Sequence, residues 1–208
     1  MPTLHPSHVR GLLAAKGFGK DPPVMILRAL TLWRPWPYTI FHLRPGEGPG
    51  PKRVENRPMK PPQAARDGLI ALHAGKKWDD GCGLHCSDLG IRLPWRESAF
   101  PRAKGSDPVV YCHPESVLVG VVRVVGWVEG MPRTTSRDGV LDAFSGVSAQ
   151  RAREIVNDPW YFGPFGWVLE EVQALAEPVP HAGAQGLWNV DEPAAAAVAA
   201  QLLQRRSA

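Results

Sequence analysis

Val117-Leu-Val-Gly-Val-Val-Arg-Val-Val-Gly-Trp-Val128 is the most apolar run of the chain, and its β-branched residues make it a strand rather than a helix. Apolar on both faces, it is placed at the centre of a sheet. Upstream, Gly68-Leu-Ile-Ala-Leu-His73 alternates Leu69, Ala71 and His73 against Ile70 and Leu72 and reads as another strand. Met25 to Leu32 and Lys52 to Arg57 read as two earlier strands, and Gly166 to Val172 and Gly186 to Val190 as closing ones.

Helices punctuate these strands. Pro35 is placed as the first-turn proline of a helix through about Leu43, with Trp36, Ile40 and Leu43 on one face. Lys76 to about Leu89 carries a weaker helical pattern, and Ser148 caps a helix through about Val156. Asp191 caps a terminal helix whose Ala194, Val198 and Leu202 share a face and whose last turn carries Arg205 and Arg206. Residues 129–147 are polar and turn-rich and read as loop. The order predicts an α+β fold, a small mixed β-barrel with flanking helices.

At 208 residues the chain reads as one domain over 24–191, with an N-terminal extension at 1–23 and a C-terminal helix at 192–208. Pro94, Pro101, Pro108 and Pro114 mark 92–115 as a surface excursion, and an adapter that binds other proteins through it and the Ala-rich terminal helix is one reading of the chain. Met1 to Pro23 holds no signal-peptide core, and no run approaches the roughly 20 apolar residues of a membrane span. The expectation is a soluble cytoplasmic protein with no membrane partner. Three cysteines, Cys82, Cys86 and Cys112, leave one over in any disulfide scheme and fit a reducing compartment. A net charge of +4 is compatible with a polyanionic partner but small for gripping duplex backbone. Neither a phosphate loop, a nucleophile elbow nor a dinucleotide fingerprint occurs, and nothing in the sequence demands a cofactor.

The chemistry concentrates in Lys52-Arg-Val-Glu55-Asn-Arg57 and Leu32-Trp-Arg-Pro-Trp36. Arg34, Lys52 and Arg57 can pair with phosphate, Glu55 can accept from a base amine, and an indole such as Trp36 can carry a stacked base. The bland alternative buries Trp36 and pairs Glu55 with Arg57 structurally. On an unbroken strand Glu55 and Arg57 share a face while Lys52 points the other way, so Lys52 and Glu55 converge only if the chain turns near Arg53. A lysine partly desolvated beside other cations can act as a base or nucleophile, which makes Lys52 and Glu55 the candidate catalytic pair. Replacing Lys52 by alanine is then expected to weaken binding without lowering the melting temperature. His73 is either a ligand contact or a satisfied buried histidine, and Trp160, ahead of the Gly163-Pro-Phe-Gly166 turn, is free to reach a ligand. Cys82, His85 and Cys86 with Cys112-His113 invite a zinc reading, but the spacing is irregular and two buried thiols are favoured, so no metal is assigned.

Three stretches together resemble the ASCH domain family within the PUA-like barrels. They are Leu30-Thr-Leu-Trp-Arg-Pro-Trp36 with Lys52-x-x-Glu55-x-Arg57; Leu69-Ile-Ala-Leu-His-Ala74; and Trp160-Tyr-Phe-Gly-Pro-Phe-Gly-Trp-Val-Leu-Glu170 leading to Gly186-Leu-Trp188. The resemblance implies a PUA-like barrel whose ligand is RNA, single-stranded nucleic acid or a modified nucleoside. It also implies a rival hydrolase function, as a ribonuclease or as an amidohydrolase of acylated nucleosides, carried by Lys52 and Glu55. Two departures stand out: Arg34 replaces the family's usual Gln, and Glu55 stands where the amidohydrolase subgroup has Thr.

Overall fold

In a computed structural model, residues 26–93 and 114–205 are described. The extension at 1–23, most of the 92–115 excursion, Cys112, His113 and Arg206 lie outside the described residues. The elements run β1 (Arg28–Arg34), α1 (Trp36–Phe41), β2 (Val54–Arg57), α2 (Gln63–Arg66), β3 (Leu69–Trp78) and α3 (Asp80–Asp88), followed by β4 (Val117–Met131), β5 (Val140–Ser145), α4 (Ala149–Val156), β6 (Phe165–Pro180), β7 (Leu187–Asn189) and α5 (Glu192–Arg205).

All seven strands belong to one mixed sheet, in the order β2-β6-β4-β3-β1-β7, with β5 alongside β4. Only β1 and β3 run parallel; the remaining pairs are antiparallel. The sheet curls into a half-barrel, and the fold is α+β with five helices among the described residues. β4 is central as its composition demands, bonded to β3, β5 and β6, with Leu118, Val121, Val122, Val124 and Val128 all at most 1% exposed.

Alternation along the strands divides the core. Leu30, Leu32, Ile70, Leu72, Val122 and Val124 fill the inside of the curl beneath Ile40 of α1 and Ala65 of α2. Ala29, Ala71, Leu118, Val121 and Val179 form the outer face and bury Ala194 and Val198 of α5. A third cluster, of Val54, Cys82, Cys86, Ile155, Trp160 and Tyr161, lies under α3 and α4. α1 approaches β4 so closely that a Cβ on Gly120 would fall 2.4 Å from the Phe41 ring; only glycine fits there.

Two helix starts follow their caps. The Ser148 side chain accepts from Arg151 N at 3.2 Å, and Asp191 Oδ1 from Ala194 N at 2.9 Å. Other boundaries differ from the sequence reading. β2 begins at Val54, so Lys52 precedes the strand. β3 continues to Trp78 because β1 pairs with it to the end, Arg34 opposite Trp78, and the helix after it starts only at Asp80. That start is marked by Asp79, whose carboxylate accepts from Gly81 N at 3.0 Å. β5, inside the stretch read as loop, is an edge strand with Val140 and Phe144 exposed, so no buried stripe announces it. β6 runs eight residues past Val172, through a bulge near Glu171 (φ 45°) that breaks the alternation.

Candidate functional site

Lys52 is held by its backbone. Its N–H donates to the Thr39 carbonyl at 2.9 Å, and Arg53 spends its guanidinium on the Ile40 carbonyl at 2.8 Å, closing the end of α1. The Arg53 carbonyl accepts from Leu169 N, and β2 then starts alongside β6. The chain therefore turns where the sequence argument required, and Lys52 Nζ lies 2.5 Å from Glu55 Oε2. The other Glu55 oxygen faces Arg57 Nη2 at 3.2 Å, on the face shared by alternate strand residues. Lys52 and Glu55 are 2% and 7% exposed.

Aromatic rings surround this triad. The Lys52 ammonium sits 5.4 Å from the Trp36 ring centre, and the Arg57 guanidinium 5.9 Å from that of Trp167. Trp36 Nε1 donates to Asp79 Oδ2 at 2.8 Å, so the cap of α3 also orients the indole. Trp36 meets Trp160 and Phe162 edge-on at 6.4 and 5.8 Å, and His85 packs edge-on against Phe162 at 4.7 Å. Asn56 clamps the loop that carries Phe162, donating to the Trp160 carbonyl at 2.9 Å and accepting from Phe162 N at 2.8 Å. Burial raises the Asp158 carboxyl above the ordinary carboxylate range, against the pull of the Trp160 N–H, Arg151 and Lys52.

The open part of the site is its rim: half-buried Trp36, Arg57 and His85, and Phe162 at 41% exposure. Arg57 Nε is buried with no hydrogen-bond partner among the described residues. Lys52 has three N–H donors and a single carboxylate to receive them. The triad thus has N–H donors in excess of the acceptors that face it among the described residues.

Of the residues singled out from sequence, the fold brings together Trp36, Lys52, Glu55 and Arg57. Trp160 is a correction: it is 1% exposed and donates through Nε1 to the Gly50 carbonyl at 3.0 Å, so it walls the site and offers no face for stacking. Arg34 is also displaced from the role of phosphate contact, because it donates to the Lys76 carbonyl at 2.7 Å and pairs with Glu115 at 2.6 Å. His73 is buried at 2% on the far side of the sheet, donating through Nε2 to the His181 carbonyl at 3.0 Å beside Trp188. It takes the role of a buried histidine rather than a ligand contact. Asn56, Asp79 and Phe162 were missed as site residues; the Asp79-Asp80 pair at a helix start was the one local signal.

Cys82 and Cys86 share one face of α3 and are fully buried. Their mutual hydrogen bond raises the Cys82 thiol and lowers that of Cys86. His85 turns away from them to donate to the Pro159 carbonyl, and no group of three metal-ligating side chains occurs among the described residues. Two hollows lie elsewhere: one beside Arg34, Pro37, Tyr38 and His42, and one of about 360 Å³ between the end of β6 and α5, lined in part by Val179, His181 and Asp191.

Burial lowers the His73 imidazole below its ordinary value, and repulsion from His181 adds to this against the pull of the His181 carbonyl. The unfolded chain then binds a proton that the folded state refuses, so stability falls as pH drops through about 6.5 and levels off below the lowered folded value. His73→Gln is expected to flatten that limb, by at most about 1.4 kcal/mol per pH unit, in urea midpoints measured across the range. Parallel curves for both proteins would show that His73 is hydrated.

No protein-family model matches this chain, and no curated protein matches it significantly. No helix among the described residues is long and apolar enough to cross a membrane.

Proposed function

We propose that the Lys52–Glu55–Arg57 triad and its aromatic rim form the binding site of a nucleoside, free or within RNA, in a PUA-like domain of the ASCH type. The observation that carries this reading is the convergence of a buried Lys52–Glu55 pair and half-buried Arg57, with donors left over, beneath an exposed ring. Lys52 and Arg57 donate to base carbonyl oxygens, Glu55 fixes both cations, and Phe162, the exposed ring beside Trp36, supplies the stacking face. The half-barrel sheet and the position of the triad beside α1 support the same reading.

Phe162→Ala is expected to weaken binding of ribonucleosides or single-stranded RNA about tenfold, the loss of one stacked base, with little change in melting temperature. Calorimetric titration with the four ribonucleosides measures it. Unchanged affinity in both Phe162→Ala and Arg57→Ala would remove the rim from the site.

The burial of Lys52 and Glu55 in direct contact favours a second reading, a hydrolase in which this pair moves a proton during attack of water on RNA or an acylated nucleoside. Turnover of labelled RNA or acetylated cytidine that disappears in Glu55→Gln would establish it. Nucleoside binding with no turnover would leave the binding module.

A further inference from the structure

Trp33 stands apart from the other indoles among the described residues: it is 47% exposed, the last outward-facing residue of β1 before the Arg34-Pro35-Trp36 corner. Lys77 Nζ lies 3.3 Å from its ring centre. Lys76 and Lys77 are both exposed, and neither pairs with a carboxylate among the described residues. An exposed indole covered by an ammonium group that pairs with no carboxylate among the described residues combines the two features that hold single strands, a stacking face and a cationic flank.

This platform is fixed next to the triad. Trp33 and Trp36 are three residues apart, so their Cα atoms lie within about 11 Å of each other. The corner between them is tied down where Asp79 N donates to the Arg34 carbonyl at 2.6 Å and Trp36 Nε1 to Asp79 Oδ2 at 2.8 Å. Trp33 faces outward with Thr31 whereas Leu30 and Leu32 face inward, so a ligand touching both Trp33 and Phe162 must pass around the end of β1. A single strand can follow that path with successive nucleotides.

We propose that Trp33 and Lys77 form a contact for a flanking nucleotide, and that the ligand of the triad is therefore a single strand rather than a free nucleoside. This rests on the nucleoside-site reading above. A base stacks on Trp33, and the Lys77 ammonium moves from the ring to the adjacent phosphate. The triad reads one base; the platform adds affinity without sequence preference.

The test compares a short labelled single-stranded RNA of mixed sequence with the four ribonucleosides, on the full chain. Trp33→Ala should weaken RNA binding about tenfold and leave nucleoside affinity unchanged, while Trp33→Phe retains most of the RNA affinity. Lys77→Ala should flatten the log–log salt dependence by about 0.7 for the lost phosphate contact. RNA affinity unchanged in Trp33→Ala would overturn the proposal, as would an equal loss for nucleosides and RNA, which would place Trp33 inside the triad's pocket. If instead Phe162→Ala and Arg57→Ala leave nucleoside binding intact, the pocket reading falls on its own evidence, whatever the Trp33 variant does.

Discussion

Lys52→Ala is expected to cost about 3–5 kcal/mol of folding stability, because it leaves the carboxylate of Glu55 buried with one of its two cations gone. Arg57 remains 3.2 Å from the other oxygen and holds the loss toward the lower end of that range. This corrects the expectation from sequence that the substitution spares the melting temperature; a lysine 2% exposed is part of the interior, not a solvated loop residue. Removing both charges together, as Lys52→Met with Glu55→Leu, should recover much of the loss, since a buried ion pair often gains little over apolar side chains of similar volume. Urea unfolding of the single and double variants measures both. A single-variant loss below about 0.5 kcal/mol would mean that water reaches Glu55 and that the pair behaves as a surface ion pair. Binding tests at this site are therefore better built on Phe162 and Arg57, which lie at the rim.

Trp160→Ala should be about as costly, roughly 3–5 kcal/mol, for a different reason. The indole is 1% exposed in the cluster under α3 and α4, and its removal opens a cavity beside Trp36 and His85 while leaving the Gly50 carbonyl without its donor. Trp160→Phe keeps most of the volume and should lose only the hydrogen bond and a remnant of packing, about 1–2 kcal/mol. Equal losses for Ala and Phe would show that the bond to Gly50, rather than volume, holds the loop in place. Because Asn56 ties Trp160 and Phe162 into one loop, the alanine variant should also displace the proposed stacking ring, and nucleoside affinity is expected to fall with stability.

Where the sequence reading was right, a local signal sufficed. A β-branched run long enough to be buried marks β4, and a side chain with one free oxygen ahead of an apolar periodic stretch marks the starts of α4 and α5. Where it fell short, a partner distant in sequence decided the outcome. β3 is extended through Gly75, Lys76 and Lys77 because β1 lies alongside it, although those residues alone resemble the approach to a helix. β6 continues past Glu170 and Glu171 because β4 pairs with it through a bulge, and a bulge resets the alternation that a sequence pattern relies on.

The candidate site divides in the same way. Residue types and period-two spacing alone place Glu55 and Arg57 on one face and name Lys52 and Trp36 as their companions, since those properties belong to the local chain. That Lys52 meets Glu55, that Trp160 is sealed inside while Phe162 faces water, and that Arg34 is occupied by Glu115 were decided only by the tertiary structure. Each depends on a contact local periodicity cannot encode: the Thr39 carbonyl that turns the chain before β2, the Asn56 amide reaching across 104 residues to the Trp160 loop, and a carboxylate on the far side of the sheet's longest connection.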